Sequence, residues 1–151
     1  MDKVAFLQLG ENDRNRFLAE MASEAASVLE EHDYVFEVAT KAVELLETHI
    51  VKPMTPKQIG LYLEHYDESQ DISSLYNCVR DDKLAISAVD VIAYATGAIT
   101  LAAYHSQGIR NGITDPILEA TPEVFEFALT QYRKLEAAKL VKPISEIQAE
   151  P

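Results

Sequence analysis

A single long apolar stretch constrains the fold of this chain more than any other feature. It runs from Leu84 to Tyr104 and contains one formal charge, Asp90. Its large apolar residues do not fall on one narrow helical stripe, and seven alanines and Gly97 fill the gaps between them. A helix that is apolar all round is buried all round, so other helices must pack against several of its sides. The stretch therefore predicts a central core helix.

The same stretch must also be considered as a membrane span, which needs about 20 predominantly apolar residues. Asp90 would then lie in hydrocarbon, and the residues from Arg80 to Lys83 offer no basic excess of the kind that orients membrane helices. We therefore predict a core helix and no membrane association. Because a carboxylate on a buried helix needs a donor or a partner charge, we expect Asp90 to cap or anchor a neighbouring loop.

Helical periodicity and capping signals place the other elements. Thr55, Pro56 and Gln58 form a helix start with a capping box, and a second Thr-Pro pair begins at Thr121. The segment from Val4 to Leu9 is predicted to be either a short strand or the first turn of a helix. Helices are predicted at 12–31 with Asn12 or Asp13 as N-cap, at 35–51, from 55 through Ile59, Tyr62, Leu63 and Tyr66, around 75–79 with Ser73 as cap, and from 121 through Leu135.

These elements predict an all-α fold, an irregular bundle of five or six helices around the central apolar helix at about 84–104. A chain of 151 residues is long enough for one domain with a sizeable core. We assign residues 1–140 to a single helical domain and 141–151 to a C-terminal tail. The tail is predicted to be extended or disordered, although Ile144 and Ile147 could dock on the surface.

The charge balance limits the possible partners. Thirteen Lys and Arg stand against 25 Asp and Glu, which gives a net charge of -12. Such a surface repels nucleic acid and anionic membranes, so neither is expected as a partner. The N-terminal residues are too acidic for a secretory signal, and the single cysteine, Cys78, cannot form a disulfide within the chain. We predict a cytoplasmic protein.

Sequence motifs for catalysis are missing. None of the four histidines follows a glutamate by three residues, as a di-iron bundle requires, and no Walker A, Gly-x-Gly-x-x-Gly or Gly-x-Ser-x-Gly motif occurs. The segment after Asp67 fails as a calcium loop, because Ile72 and Cys78 occupy its glycine and glutamate positions. Cys78 is interpreted as a small packing residue. We predict no catalytic, cofactor-binding or metal-binding residue, and therefore no enzyme.

Carboxylates and tyrosines are concentrated in one connecting region, between residues 62 and 82. Carboxylates steer the encounter with a basic protein, and tyrosine supplies contact area at a low cost in side-chain entropy. The other interpretation is that Tyr62, Tyr66 and Tyr76 belong to the core. The predicted partner-binding residues are Glu64, Tyr66, Asp67, Glu68, Asp71, Tyr76, Asp81 and Asp82.

The order of these features resembles a family of all-α bacterial immunity proteins, which neutralise toxin domains of polymorphic-toxin and contact-dependent inhibition systems. The matching features are Ala19-Glu20 in an early helix, Leu61-Tyr62 before an acidic stretch, an Ala-rich helix with Asp and Tyr at 88–94, Tyr104, and Pro116 to Glu119. The resemblance implies binding to a cognate toxin domain, often a basic nuclease, without catalysis. Inhibition could plug the active site of the toxin or act outside it.

An alternative function is a helical scaffold or adaptor that binds another basic protein, and a small metal-dependent or hydrolytic enzyme comes third. The gene neighbourhood distinguishes the first two, since a large secreted-toxin gene just upstream is expected only for an immunity protein. The sequence leaves the oligomeric state open.

Overall fold

A computed structural model of the chain describes residues 1–64 and 71–149 and is all-helical over those ranges. The prediction of an all-α bundle around one apolar helix is confirmed, with eight α-helices in the described part because several one- and two-turn helices add to the long ones. The helices are α1 (Lys3–Gln8), α2 (Glu11–Ser27), α3 (Asp33–Val51), α4 (Pro56–Ile59), α5 (Leu75–Val79), α6 (Lys83–Ser106), α7 (Asp115–Leu118) and α8 (Phe125–Ala137).

Helix α6 is the centre of the bundle, as the apolar stretch predicts. Helices α2 and α8 pack along most of its length, and α3, α4, α5 and α7 contact it from the remaining sides. Ile92 and Ile99 are fully buried within it. By length and composition alone α6 could cross a membrane, but 72% of its most apolar 18-residue window is buried against the rest of the protein. Burial by neighbouring helices therefore accounts for its apolar character.

An aromatic cluster joins the N-terminal segment to the last helix. The rings of Phe6 and Phe125 stack with centroids 3.9 Å apart, and Phe17 meets Phe125 edge-on at 6.0 Å. The segment from Val4 to Leu9, for which the sequence allowed a strand or a helix, is helical in α1. The Asp2 side chain caps it by accepting a hydrogen bond from the backbone N–H of Ala5 at 2.8 Å.

Helix α2 has its N-cap two or three residues earlier than predicted, and it also ends earlier. Its N-cap is Gly10, which has no side chain to form a capping hydrogen bond, so the prediction of Asn12 or Asp13 as N-cap is wrong. The helix ends at Ser27 rather than near Glu31, and a turn leads directly into α3. The predicted stop of α3 before Pro53 is confirmed.

The third predicted helix is shorter than its pattern indicates. The capping box is present, because the Thr55 hydroxyl accepts from the N–H of Gln58 at 3.3 Å and the Gln58 side chain accepts from the N–H of Thr55 at 3.0 Å. However, α4 ends at Ile59, and Tyr62 and Leu63 lie in turns, while Tyr66 lies outside the described residues. Gly60 ends the helix where a Cβ atom would come within 3.0 Å of the Thr100 methyl group, so the backbone approaches α6 closely.

Residues 141–149 follow α8 and pack back onto the bundle. They contain a 3-10 turn at Ile144–Glu146, and Ile147 is buried in the core. The backbone N–H of Lys142 donates to Glu24 at 2.9 Å, and its carbonyl accepts from the Tyr132 hydroxyl at 2.7 Å. The segment therefore connects α2 to α8.

Candidate partner-binding surface

Of the eight residues predicted to bind a partner, Glu64, Asp71, Tyr76, Asp81 and Asp82 are described by the structure, whereas Tyr66, Asp67 and Glu68 lie outside the described residues. The described residues are distributed between the end of the α4 turns, α5 and the start of α6. Their individual contacts show which of them has a side chain available to a partner.

Glu64 is half-buried and links two other parts of the fold. One of its carboxylate oxygens accepts from the Tyr104 hydroxyl at 3.2 Å, and the other accepts from Thr114 Oγ1 at 2.9 Å. Desolvation and the nearby Glu64 carboxylate raise the pKa of Tyr104. Because Thr114 is the residue before α7, Glu64 holds that short helix against the C-terminal half of α6.

Asp71 organises the turn that precedes α5. Its Oδ1 accepts from the backbone N–H of Ser73 at 2.7 Å and from the Ser73 hydroxyl at 2.6 Å. The predicted short helix is present, as a 3-10 turn at Ile72–Ser74 followed by α5, but its cap is Asp71 and not Ser73. Asp71 is therefore a local structural residue as well as a surface carboxylate.

Tyr76 directs its hydroxyl inward, toward the one carboxylate on α6. It donates a hydrogen bond of 2.5 Å to Oδ1 of Asp90, so Asp90 anchors the short helix α5 rather than a loop. Burial raises the pKa of Asp90, and this outweighs the hydrogen bond from Tyr76 and the attraction of Lys134, which both lower it. Burial and the Asp90 carboxylate together raise the pKa of the Tyr76 hydroxyl.

Asp82 caps α6, and the neighbouring Asp81 is exposed. Oδ1 of Asp82 accepts from the backbone N–H of Ala85 at 3.0 Å, and Oδ2 lies 3.0 Å from Nε2 of His32. These two contacts lower the pKa of Asp82, the backbone hydrogen bond contributing most. Asp81 is exposed and has no hydrogen bond or ion pair to other residues that the structure describes.

His49 also holds two parts of the fold together. Nδ1 of His49 accepts from the backbone N–H of Met54 at 3.0 Å, in a cleft of about 330 Å³ between α2, α3 and the end of α6. Burial lowers the pKa of His49, and the nearby Glu11 carboxylate acts in the opposite direction. The neutral imidazole thus fixes the turn after α3.

Cys78 is exposed, so its interpretation as a packing residue is wrong. Its position on α5 turns it away from α6, whereas Leu75 and Val79 on the same helix are buried. Within 1–64 and 71–149, no three His, Cys, Asp or Glu side chains lie close enough together to hold a metal ion.

A second surface with exposed apolar side chains lies at the corner between α7 and α8. Leu118, Val124 and Phe127 are 41%, 43% and 48% exposed, respectively. Three exposed carboxylates accompany them, those of Glu119, Glu123 and Glu126. The sequence carries a signal for this surface, because no Lys or Arg occurs between Arg110 and Arg133. The sequence alone does not show that the apolar residues of this surface are exposed.

No family model, no curated protein and no solved structure matches this chain. The resemblance to bacterial immunity proteins therefore rests on the short motifs quoted from the sequence, and it stays a prediction.

Proposed function

We propose that this chain is a non-catalytic, cytoplasmic immunity protein that binds and neutralises a basic bacterial toxin domain, such as a nuclease. The observation that carries the proposal is the net charge of -12 on a helical bundle. Among described residues, four carboxylates have a cationic partner within 4.0 Å: those of Asp13, Glu20, Glu37 and, through His32, Asp82. Most of the carboxylates that the structure describes thus have no cationic partner within that distance, and this excess of negative charge attracts a basic protein.

The roles of the polar side chains favour binding over catalysis. Glu64 positions α7, Asp82 caps α6, and Asp90 anchors α5 through Tyr76. These contacts fix the surface before a partner arrives, and a preorganised surface loses less entropy on association. The same excess of carboxylates disfavours nucleic acid and anionic membranes as partners.

The proposal is tested by neutralisation of a toxin in cells. If a toxin domain is encoded directly upstream of this chain, it is expressed in a bacterial host with and without the chain. We expect the toxin domain alone to stop growth, coexpression to restore growth, and the two proteins to copurify as a complex. A toxin domain from an unrelated system is the control, and its activity should not be reduced.

Continued growth arrest with both proteins soluble would contradict the proposal. A neighbourhood without a toxin gene, together with a stable complex with some other basic protein, would instead support a scaffold or adaptor.

A further inference from the structure

We propose that the corner between α7 and α8 is the surface on which the basic partner docks. This corner is defined by Leu118, Val124 and Phe127 together with Glu119, Glu123 and Glu126. The inference rests on the proposed function, because it names the part of the molecule that recognises a basic protein. The corner adds an apolar contact area to the attraction between the acidic surface and a basic partner.

The centre of the corner is an exposed apolar pair. Val124 and Phe127 are three residues apart where a 3-10 turn leads into α8, and side chains at this spacing are neighbours on a helix surface. Both are nearly half exposed, although the adjacent Phe125 is fully buried. Aromatic residues at the centre of a protein interface contribute a large share of its affinity.

The backbone under this pair is held firmly. The Phe125 ring stacks on Phe6 at 3.9 Å, and the Tyr94 hydroxyl donates to the carbonyl of Thr121 at 2.8 Å. The interior contacts of the corner are therefore complete without Val124 and Phe127. A rigid surface of this kind loses little conformational entropy when a partner covers it.

The charge of this segment favours a basic occupant, although Arg14 lines the same cleft as Glu123. The 22 residues between Arg110 and Arg133 contain four acids, Asp115, Glu119, Glu123 and Glu126, and no Lys or Arg. An apolar centre with a rim of carboxylates complements a protein surface on which Lys or Arg surround an apolar side chain. A second copy of this chain would place like charges opposite one another, which is unfavourable.

The corner is also continuous with the acidic region that the sequence singled out. The Glu64 carboxylate accepts a hydrogen bond from Thr114 at the start of α7, and Leu118 and Glu119 are at the end of the same helix. Helix α7 thus links Thr114, which donates to Glu64, to Leu118 and Glu119 of the corner.

A pair of defined peptides tests the inference on the full chain without knowledge of the natural partner. The first is a basic amphipathic helix of Lys and Leu, and the second is a Lys and Ser peptide of equal charge. Amide NMR spectra are recorded during titration. We expect the Lys and Leu peptide to shift resonances of residues 118–127 most strongly, and the Lys and Ser peptide to bind at least about tenfold more weakly.

Matched variants locate the binding surface. Phe127→Ser should weaken binding of the Lys and Leu peptide about tenfold. Val51→Ser, at a position that is 87% exposed on α3, should not change the binding. Glu123→Lys with Glu126→Lys should weaken binding more than Glu30→Lys with Glu31→Lys, which changes the net charge equally.

Three results would overturn the inference: shifts spread evenly over the acidic surface, equal binding of the two peptides, or a dimer of this chain that Phe127→Ser dissociates. Each would leave the neutralisation experiment unaffected. Conversely, a failure to neutralise a toxin would leave the mapped surface in place, so the two proposals fail separately.

Discussion

Asp90 shows how one carboxylate is accommodated on the most apolar helix of the molecule. Its ionised form loses hydration on burial, and the hydrogen bond from Tyr76 only partly compensates, so its pKa is raised. The folded chain therefore binds this proton more tightly than the unfolded chain. By linkage, this residue adds to the unfolding free energy as the pH falls through its native pKa, and subtracts from it at neutral pH.

Asp90→Asn removes this titration and keeps an oxygen that can accept from Tyr76. We expect the variant to be more stable than the wild type at about pH 7, and the difference to shrink as the pH falls to about 4. Urea unfolding at several pH values measures the free energy of unfolding of the variant and of the wild type. Asp81→Asn, at an exposed position close to the start of α6, is the control variant. If the difference in stability between Asp90→Asn and the wild type instead grows as the pH falls, the pKa of Asp90 is not raised in the folded chain.

At the scale of elements, the contact between α6 and α7 depends on a missing side chain. A Cβ atom at Gly97 would lie 2.7 Å from Cβ of Ala120 and 3.2 Å from the carbonyl oxygen of Pro116. The absence of that atom allows the segment after α7 to lie directly on the central helix. The loss of helix propensity at Gly97, about 1 kcal/mol relative to Ala, is thus offset by close packing.

Gly97→Ala should destabilise the protein despite its better helix propensity. Overpacking costs about 1 to 3 kcal/mol, so over most of that range it outweighs the gain of about 1 kcal/mol in helix propensity. Chemical unfolding measures the net loss. Gly10→Ser is the matched control, because nothing lies within 4 Å of a Cβ there and a serine N-cap should add a few tenths of a kcal/mol. An increase in stability for Gly97→Ala would mean that the segment after α7 moves without cost.

The elements that the sequence predicts well are those whose signals are local. The apolar stretch of α6, the periodicity of α3 and the capping box at Thr55 are all read within a few residues, and the structure confirms them. Helix α4 ends with Gly60 as its C-cap, where the backbone approaches Thr100, and this is a contact between distant parts of the chain. Local periodicity contains no information about such a contact.

The distinction between local sequence signals and contacts of distant residues also applies to the candidate surface. The concentration of acids near residues 64–82 was visible in the sequence, but the use of Tyr76 to bind Asp90 depends on how α5 packs on α6. Exposure is likewise a tertiary property. Phe125 and Phe127 are two residues apart and chemically identical, yet one is buried and the other is nearly half exposed.

At the scale of the whole molecule, residues 141–149 act as a strap across α2 and α8. The Lys142 ammonium pairs with Glu20, the N–H of Gln148 donates to Glu20 at 2.8 Å, and the N–H of Ile144 donates to Glu136 at 2.6 Å. The hydrogen bond with Glu20 raises the pKa of Lys142. Buried Ile147 completes the core on that side.

Deletion of residues 141–151 should destabilise the bundle substantially. Burial of Ile147 alone contributes about 1.5 to 3 kcal/mol, and the hydrogen bonds of the strap add to this. Lys142→Met separates the contributions, because it keeps the strap and removes a partly exposed ion pair worth at most about 1 kcal/mol. Thermal and urea unfolding should show a large shift for the deletion and a small one for Lys142→Met. An unchanged midpoint for the deletion would show that the strap contributes nothing.

The strap also determines when the fold can be completed in a living cell. Lys142 lies 122 residues after Glu20, so at roughly 5 to 20 residues per second the ribosome adds it roughly 6 to 24 s later. During that interval the acidic face of α2 has no covering segment. The bundle can therefore close fully only after translation has passed residue 142, when its long helices have already been made.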